Sequence, residues 1–212
     1  GSETIVSSTL TMVPRPSLHL SVGPSIDLLR REAQYVRTVA DPLAAETFAN
    51  RYVFATMRQR TLSVDIRGDW TFTPTLSLQL FSQPFVSSAR FDTYKQLRKP
   101  GLFEFDVFGR DLGTVSYAND GRVLIDPDAD GPAQAFGLDP DANEASFLSR
   151  ALRVNAVLRW EYRGGSTLYL VWQQTRDESS PQLTSGLPLL GGLLDIRPRD
   201  VILVKATYRI GR

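Results

Sequence analysis

The chain has 212 residues, 42% of them hydrophobic, with 24 Lys+Arg against 23 Asp+Glu and a formal net charge of +1. A balance this even, with no basic arm, gives no reason to expect nucleic acid as a partner. The absence of cysteine excludes disulfides and thiol catalysis, and a single histidine, His19, excludes a multi-histidine metal site. No run approaches the length of a transmembrane helix, so any membrane is crossed by strands.

From Ser17 to Gly23, after Pro14 and Pro16, Leu18, Leu20 and Val22 alternate with Ser17, His19 and Ser21. This period of two predicts a short strand, and Ala33 to Ala40 is a weaker candidate. Arg51 to Phe72 reads as two strands broken near Met57 to Arg60, because roughly twenty residues exceed the ~10 that a strand needs to cross a bilayer. Beyond the break, Leu62, Val64, Ile66, Gly68, Trp70 and Phe72 form one face, and Thr61, Ser63, Asp65, Arg67, Asp69 and Thr71 the other. Thr73-Pro74-Thr75 predicts a tight turn, after which Leu76, Leu78 and Leu80 resume the apolar face.

Residues from about 89 to 149 predict a long loop insertion rich in Gly, Pro, Asp and Ser. It contains shorter β-like runs, Leu102 to Phe108 and Thr114 to Ile125, the second forming a hairpin around Asn119-Asp120-Gly121. Asp126, Asp128 and Asp130, followed by Gly131, match the start of a calcium loop, in which alternate carboxylates converge and glycine makes the bend. The twelfth position, where a calcium loop places a bidentate Glu, is Gly137. A second acidic group, Asp139, Asp141, Asn143 and Glu144, lies close enough in sequence to complete a site. The alternative is a solvated acidic loop.

Ala156 to Gln174 holds two alternating arms around Arg163-Gly164-Gly165-Ser166, a strong hairpin signal because glycine supplies the positive φ of such turns. Ala156, Leu158, Trp160 and Tyr162 share one face, continued by Leu168, Leu170 and Trp172; Thr167 falls on the opposite, mixed face. The apolar stretch with Gly186, Gly191 and Gly192 lacks the lysine of a phosphate-binding loop and reads as a loop tip that packs on a rim or touches membrane. Val201 to Ile210 predicts a last strand.

Short turns at one end and long connections at the other form the outer-membrane pattern. The expected fold is therefore an all-β, antiparallel up-and-down transmembrane barrel of about eight strands, closed between first and last, or the C-terminal part of a larger barrel. Tyr52, Phe54, Trp70, Phe72, Trp160, Tyr162, Trp172 and Tyr208 are the candidate membrane-facing aromatics. The competing fold is a soluble sandwich or barrel that binds a carbohydrate or other ligand, with the three tryptophans buried between sheets. Asp65, Asp69, Arg67, Glu161, Arg159 and Arg163 form either an ion-paired lumen network or, as a third reading, a carboxylate pair of the hydrolase kind. No catalytic residue is assigned.

The segments RYVFATMRQRTLSVDIRGDWTFTPTLSLQLFSQPFVSS (Arg51 to Ser88) and LRVNAVLRWEYRGGSTLYLVWQQTRD (Leu152 to Asp177), with IDPDADGP between them, resemble the C-terminal region of a large bacterial family of uncharacterised proteins. Its members typically carry an N-terminal domain similar to family-nine carbohydrate-binding modules ahead of a predicted outer-membrane β-barrel. The resemblance implies a location in the bacterial outer membrane, lipid as a partner, and a link to carbohydrate handling as anchor, pore or export component. It also implies a periplasmic or extracellular partner, or an N-terminal domain beyond this sequence.

Overall fold

The computed structural model describes residues 1–181 and 190–210. The chain is built from antiparallel strands: β1 (Ser2–Ser7), β2 (Leu10–Arg15), β3 (Leu18–Ala40), β4 (Asn50–Thr73), β5 (Leu76–Leu97), β6 (Phe105–Val107), β7 (Thr114–Tyr117), β8 (Val123–Asp126), β9 (Phe136–Leu138), β10 (Phe147–Arg163), β11 (Ser166–Ser180) and β12 (Arg199–Thr207). Nine of them form one sheet in the order β1-β3-β4-β5-β10-β11-β12, with β2 beside β3 and β6 beside β5, while β7-β8-β9 form a small second sheet. Each principal strand neighbours the next one in sequence, except that the insertion separates β5 from β10. The result is a meander.

The expected hairpins form. β10 and β11 pair from Trp160↔Leu168 to Leu148↔Ser180 around Gly164-Gly165, and β4 and β5 meet around Pro74. The Asn119-Asp120-Gly121 turn joins β7 to β8, with Gly121 at φ 87°. The three tight turns at Pro16, Pro74 and Gly164 lie on one rim.

Three expectations are corrected. β4 runs unbroken through Met57 to Arg60, and β3 unites the two segments expected around Ser17 and Ala33. Bilayer thickness does not limit these strands, because their distal halves pack against the insertion instead. The sheet also begins earlier than expected, at Ser2, where Thr4 and Val6 and then Leu10 and Met12 carry the alternation. Finally, no closed barrel forms: β1/β2 and β12 are open edges, and no pairing joins first to last among the described residues.

Two cores flank the sheet at the long-loop end. Along β4, Val53, Ala55 and Met57 project to the same face as Gln59 and Thr61, and there pack with Ala89, Phe91 and Tyr94 of β5 and with Phe108, Val123, Ile125 and Leu138 of the insertion. The small sheet therefore covers the inner face, opposite Leu62, Val64 and Ile66. Arg37 of β3 fastens it further, donating to Gly137 O and Glu144 Oε2, each at 3.2 Å. On the other face Val86, Leu148 and Leu152 bury Leu193, with Leu190 and Ile196 alongside. The apolar loop thus packs on the rim as expected; Gly186 lies outside the described residues.

Candidate membrane face and polar inner surface

Cross-strand partners share a face, so the register assembles the apolar residues into one surface. Leu18, Trp70, Leu78, Leu158, Leu170 and Val204 stand in one row across β3, β4, β5, β10, β11 and β12; Leu20, Gly68, Leu80, Ala156, Trp172 and Ile202 stand in the next. The apolar windows Leu18–Leu28, Leu62–Phe72, Leu76–Val86 and Leu152–Tyr162 are equal in length and match the roughly 9–11 residues of a tilted membrane-crossing strand.

The upper border of these windows slants across the register. Leu28 stands opposite Arg60, not Leu62, and Val86 stands opposite Arg150, not Leu152. A band perpendicular to a barrel axis must cross tilted strands this way, slipping along the hydrogen-bond rows.

Away from Val86 and Leu152, which pack against Leu193, this surface is open. Trp70 is 41% exposed, Trp160 48% and Trp172 37%, and no second sheet covers them among the described residues. A sandwich would have buried all three. Trp70 and Phe72, with ring centroids 4.4 Å apart, and Trp160 and Tyr162, at 6.0 Å, flank the turn rim. Trp172 lies at the opposite border, where its indole N–H donates to Asp200 Oδ1 at 2.8 Å. Tyr208, 61% exposed, follows the end of β12. Tyr52 and Phe54 are placed elsewhere: they lie past Arg58 and Arg60, and Phe54 stacks edge-on with Tyr35 and Phe105 at the loop end. The sequence grouped them with the others only because β4 continues the same alternation.

The inner face along the band is mixed, with Phe81, Val157, Val171 and Leu203 among polar side chains. Gln59 Nε2 donates to Ser87 Oγ at 2.9 Å, and Ser87 also pairs with Thr61 at 3.0 Å. Asp65 accepts from Gln83 at 2.8 Å and Asp69 from Gln79 at 3.1 Å, while Arg67 stands 5.1 Å from the centre of the Phe81 ring. The expected ion-paired network is thus reduced to Arg159–Glu161 at 3.2 Å, with Arg163 turned to the Tyr208 hydroxyl. Glutamine amides satisfy the aspartates without a second charge. A cleft of about 380 Å³, lined by Arg67, Asp69, Gln79, Phe81 and Asn155, opens on this face. Asp65 and Asp69 bond to different glutamines. His19 stands opposite Asp69 on the same face. Thr167, on the mixed face, is 8% exposed and bonded through its backbone to Thr207 Oγ1.

The acidic loop does not converge. Asp126 Oδ1 accepts from Asp128 N at 3.3 Å, and Asp128 Oδ2 accepts from Ala133 N at 2.9 Å. Asp130 is exposed, and no group of three candidate metal ligands occurs among the described residues. These carboxylates shape turns by capping backbone N–H groups. Asp139 and Glu144 do likewise, accepting from Asp141 N at 2.9 Å and Asp139 N at 3.2 Å.

No family model, curated protein or solved structure matches the chain.

Proposed function

We propose that the chain forms part of the wall of a bacterial outer-membrane β-barrel and anchors there the assembly to which it belongs. The observation that carries this reading is the apolar band, exposed except where Leu193 covers Val86 and Leu152, slanted across the register and bordered by aromatic side chains, with a more polar opposite face. A soluble domain rarely exposes so large a contiguous apolar surface. Both edge strands are apolar and leave their outer edges unpaired among the described residues, with Ile5 and Val6 on one and Ile202 and Val204 on the other. In hydrocarbon every backbone polar group must find a partner, so the barrel is completed by further strands beyond those described. The insertion packs on the inner face at the long-loop mouth, an arrangement that favours an anchor over an open pore.

The test is the behaviour of the purified protein with and without detergent. Folding only in detergent or lipid, heat-modifiable migration on a gel, and quenching of Trp70, Trp160 and Trp172 fluorescence by brominated acyl chains are the expected results. A monodisperse, folded protein in plain buffer, with tryptophans shielded from brominated lipid, sinks the proposal.

A further inference from the structure

Where the apolar windows end on β3, β4 and β5, the outward face carries a row of like charges. Arg58 stands directly opposite Arg30 on one side and Arg90 on the other. One row nearer the band, Arg60 stands between Leu28 and Ser88. All four arginines are exposed. Like charges in directly opposed positions destabilise a sheet, so such a row calls for anions. The chain supplies two: Glu32 meets Arg30 at 2.7 Å and Asp92 meets Arg58 at 3.5 Å. The Arg90 side chain makes no hydrogen bond or ion pair among the described residues.

We propose that the Arg30–Arg58–Arg90 row binds the phosphate groups of phosphorylated lipid headgroups in the leaflet that meets the long-loop end of the sheet. This rests on the membrane reading above, which puts the row at headgroup depth, immediately outside the hydrocarbon. Guanidinium groups match phosphate oxygens with paired, charge-assisted hydrogen bonds. A phosphate monoester, with close to two negative charges, compensates the surplus that Glu32 and Asp92 leave. The other rim of the same face is bordered by Trp70, Phe72, Trp160 and Tyr162, so the two borders suit leaflets of different headgroup chemistry.

The full chain is folded into nanodiscs of phosphatidylcholine containing phosphatidic acid, and the lipids retained after transfer to detergent are identified by native mass spectrometry. Phosphatidic acid is retained in preference to phosphatidylcholine. Arg90→Gln lowers that preference about fivefold, and the triple variant Arg30→Gln, Arg58→Gln, Arg90→Gln about a hundredfold. Arg153→Gln, on the opposite face, leaves it unchanged. Heat-modifiable migration checks the folding of every variant, and Arg90→Gln breaks no ion pair, so it decides the matter if the triple variant fails to fold. A folded, inserted protein that retains both lipids equally overturns the proposal and leaves the membrane reading intact. A protein that stays folded and soluble without detergent overturns both. Displacement of phosphatidic acid by inorganic phosphate assigns the row to free phosphate and overturns the lipid assignment.

Discussion

Arg51 and Asp41 form the most enclosed ion pair among the described residues, with Nε and Oδ2 2.5 Å apart and the two side chains 10% and 9% exposed. Arg51 also donates to Gln96 Oε1 at 2.7 Å, and Asp41 accepts from Leu43 N at 2.9 Å, so the pair ties the β3–β4 connection to β5. Burial by itself raises the Asp41 pKa, but the Arg51 bond, the Leu43 N–H and the Arg51 charge together outweigh it and hold the carboxyl below its ordinary value. A depressed folded-state pKa contributes stability that is complete above the ordinary carboxylate range and is lost as pH falls through the folded value. Asp41→Asn is expected to cost about 2 kcal/mol. Hydrogen exchange of residues 41–51, measured from neutral to acid pH, checks it: the wild type loses protection on acidification, and the variant is already unprotected at neutrality.

Leu170→Arg and Val204→Arg are each expected to cost about 2–4 kcal/mol of folding into lipid, because both lie in the middle rows of the apolar band. Gln173→Arg provides the contrast, since Gln173 is exposed on the opposite face beside Asn155 and Val201. Thr167 does not serve, being buried against Thr207. Equal losses at both faces in a vesicle-folding assay would contradict the sidedness.

The small sheet has its own energetic signature. Ile125 and Leu138 are fully buried between the insertion and β4 and β5. Ile125→Ala is expected to remove about 2–5 kcal/mol locally. Limited proteolysis then cuts within residues 98–146 while the strands of the apolar band remain protected; cleavage throughout the chain would show a single cooperative unit instead.

The two glycines of the β10–β11 turn differ in what they tolerate. Gly165 has φ 75°, and a Cβ there would approach Arg209 Cδ to 2.6 Å, whereas a Cβ on Gly164 meets nothing. Gly165→Ala is expected to cost about 1 kcal/mol, chiefly from the backbone because the Arg209 side chain can move aside, and Gly164→Ala to be nearly neutral. Equilibrium unfolding in detergent distinguishes the two.

The hairpins were legible because alternation and turn chemistry act locally: Leu168, Leu170 and Trp172 opposite Trp160, Leu158 and Ala156 follow directly from Gly164-Gly165. The lengths of β3 and β4 were not, because the core that sustains Val53, Ala55 and Met57 comes from Ile125 and Leu138, far away in sequence. The arginine row was equally hidden. Arg30, Arg58 and Arg90 lie far from one another in sequence, and only the register brings them abreast. The aspartates of the 126–130 loop carried a local signal with two meanings, and backbone N–H groups bond one oxygen each of Asp126 and Asp128.

The placement of the insertion also bears on how the wall is put together. Along the meander β5 and β11 can zip onto the preceding strand across a short turn, but the β5–β10 seam joins no residues closer in sequence than Ala89 and Phe147. Closing so long a segment costs chain entropy before any seam contact returns it. The insertion shortens that search by folding on itself, then docking on β5: Ser146 Oγ accepts from Phe91 N at 2.9 Å, and the Tyr94 hydroxyl donates to Glu144 O at 3.3 Å, one step before β10 begins. The small sheet thereby acts as a splint that delivers Phe147 to its register. The large sheet thus has two sections, joined at a seam whose alignment is set outside the apolar band.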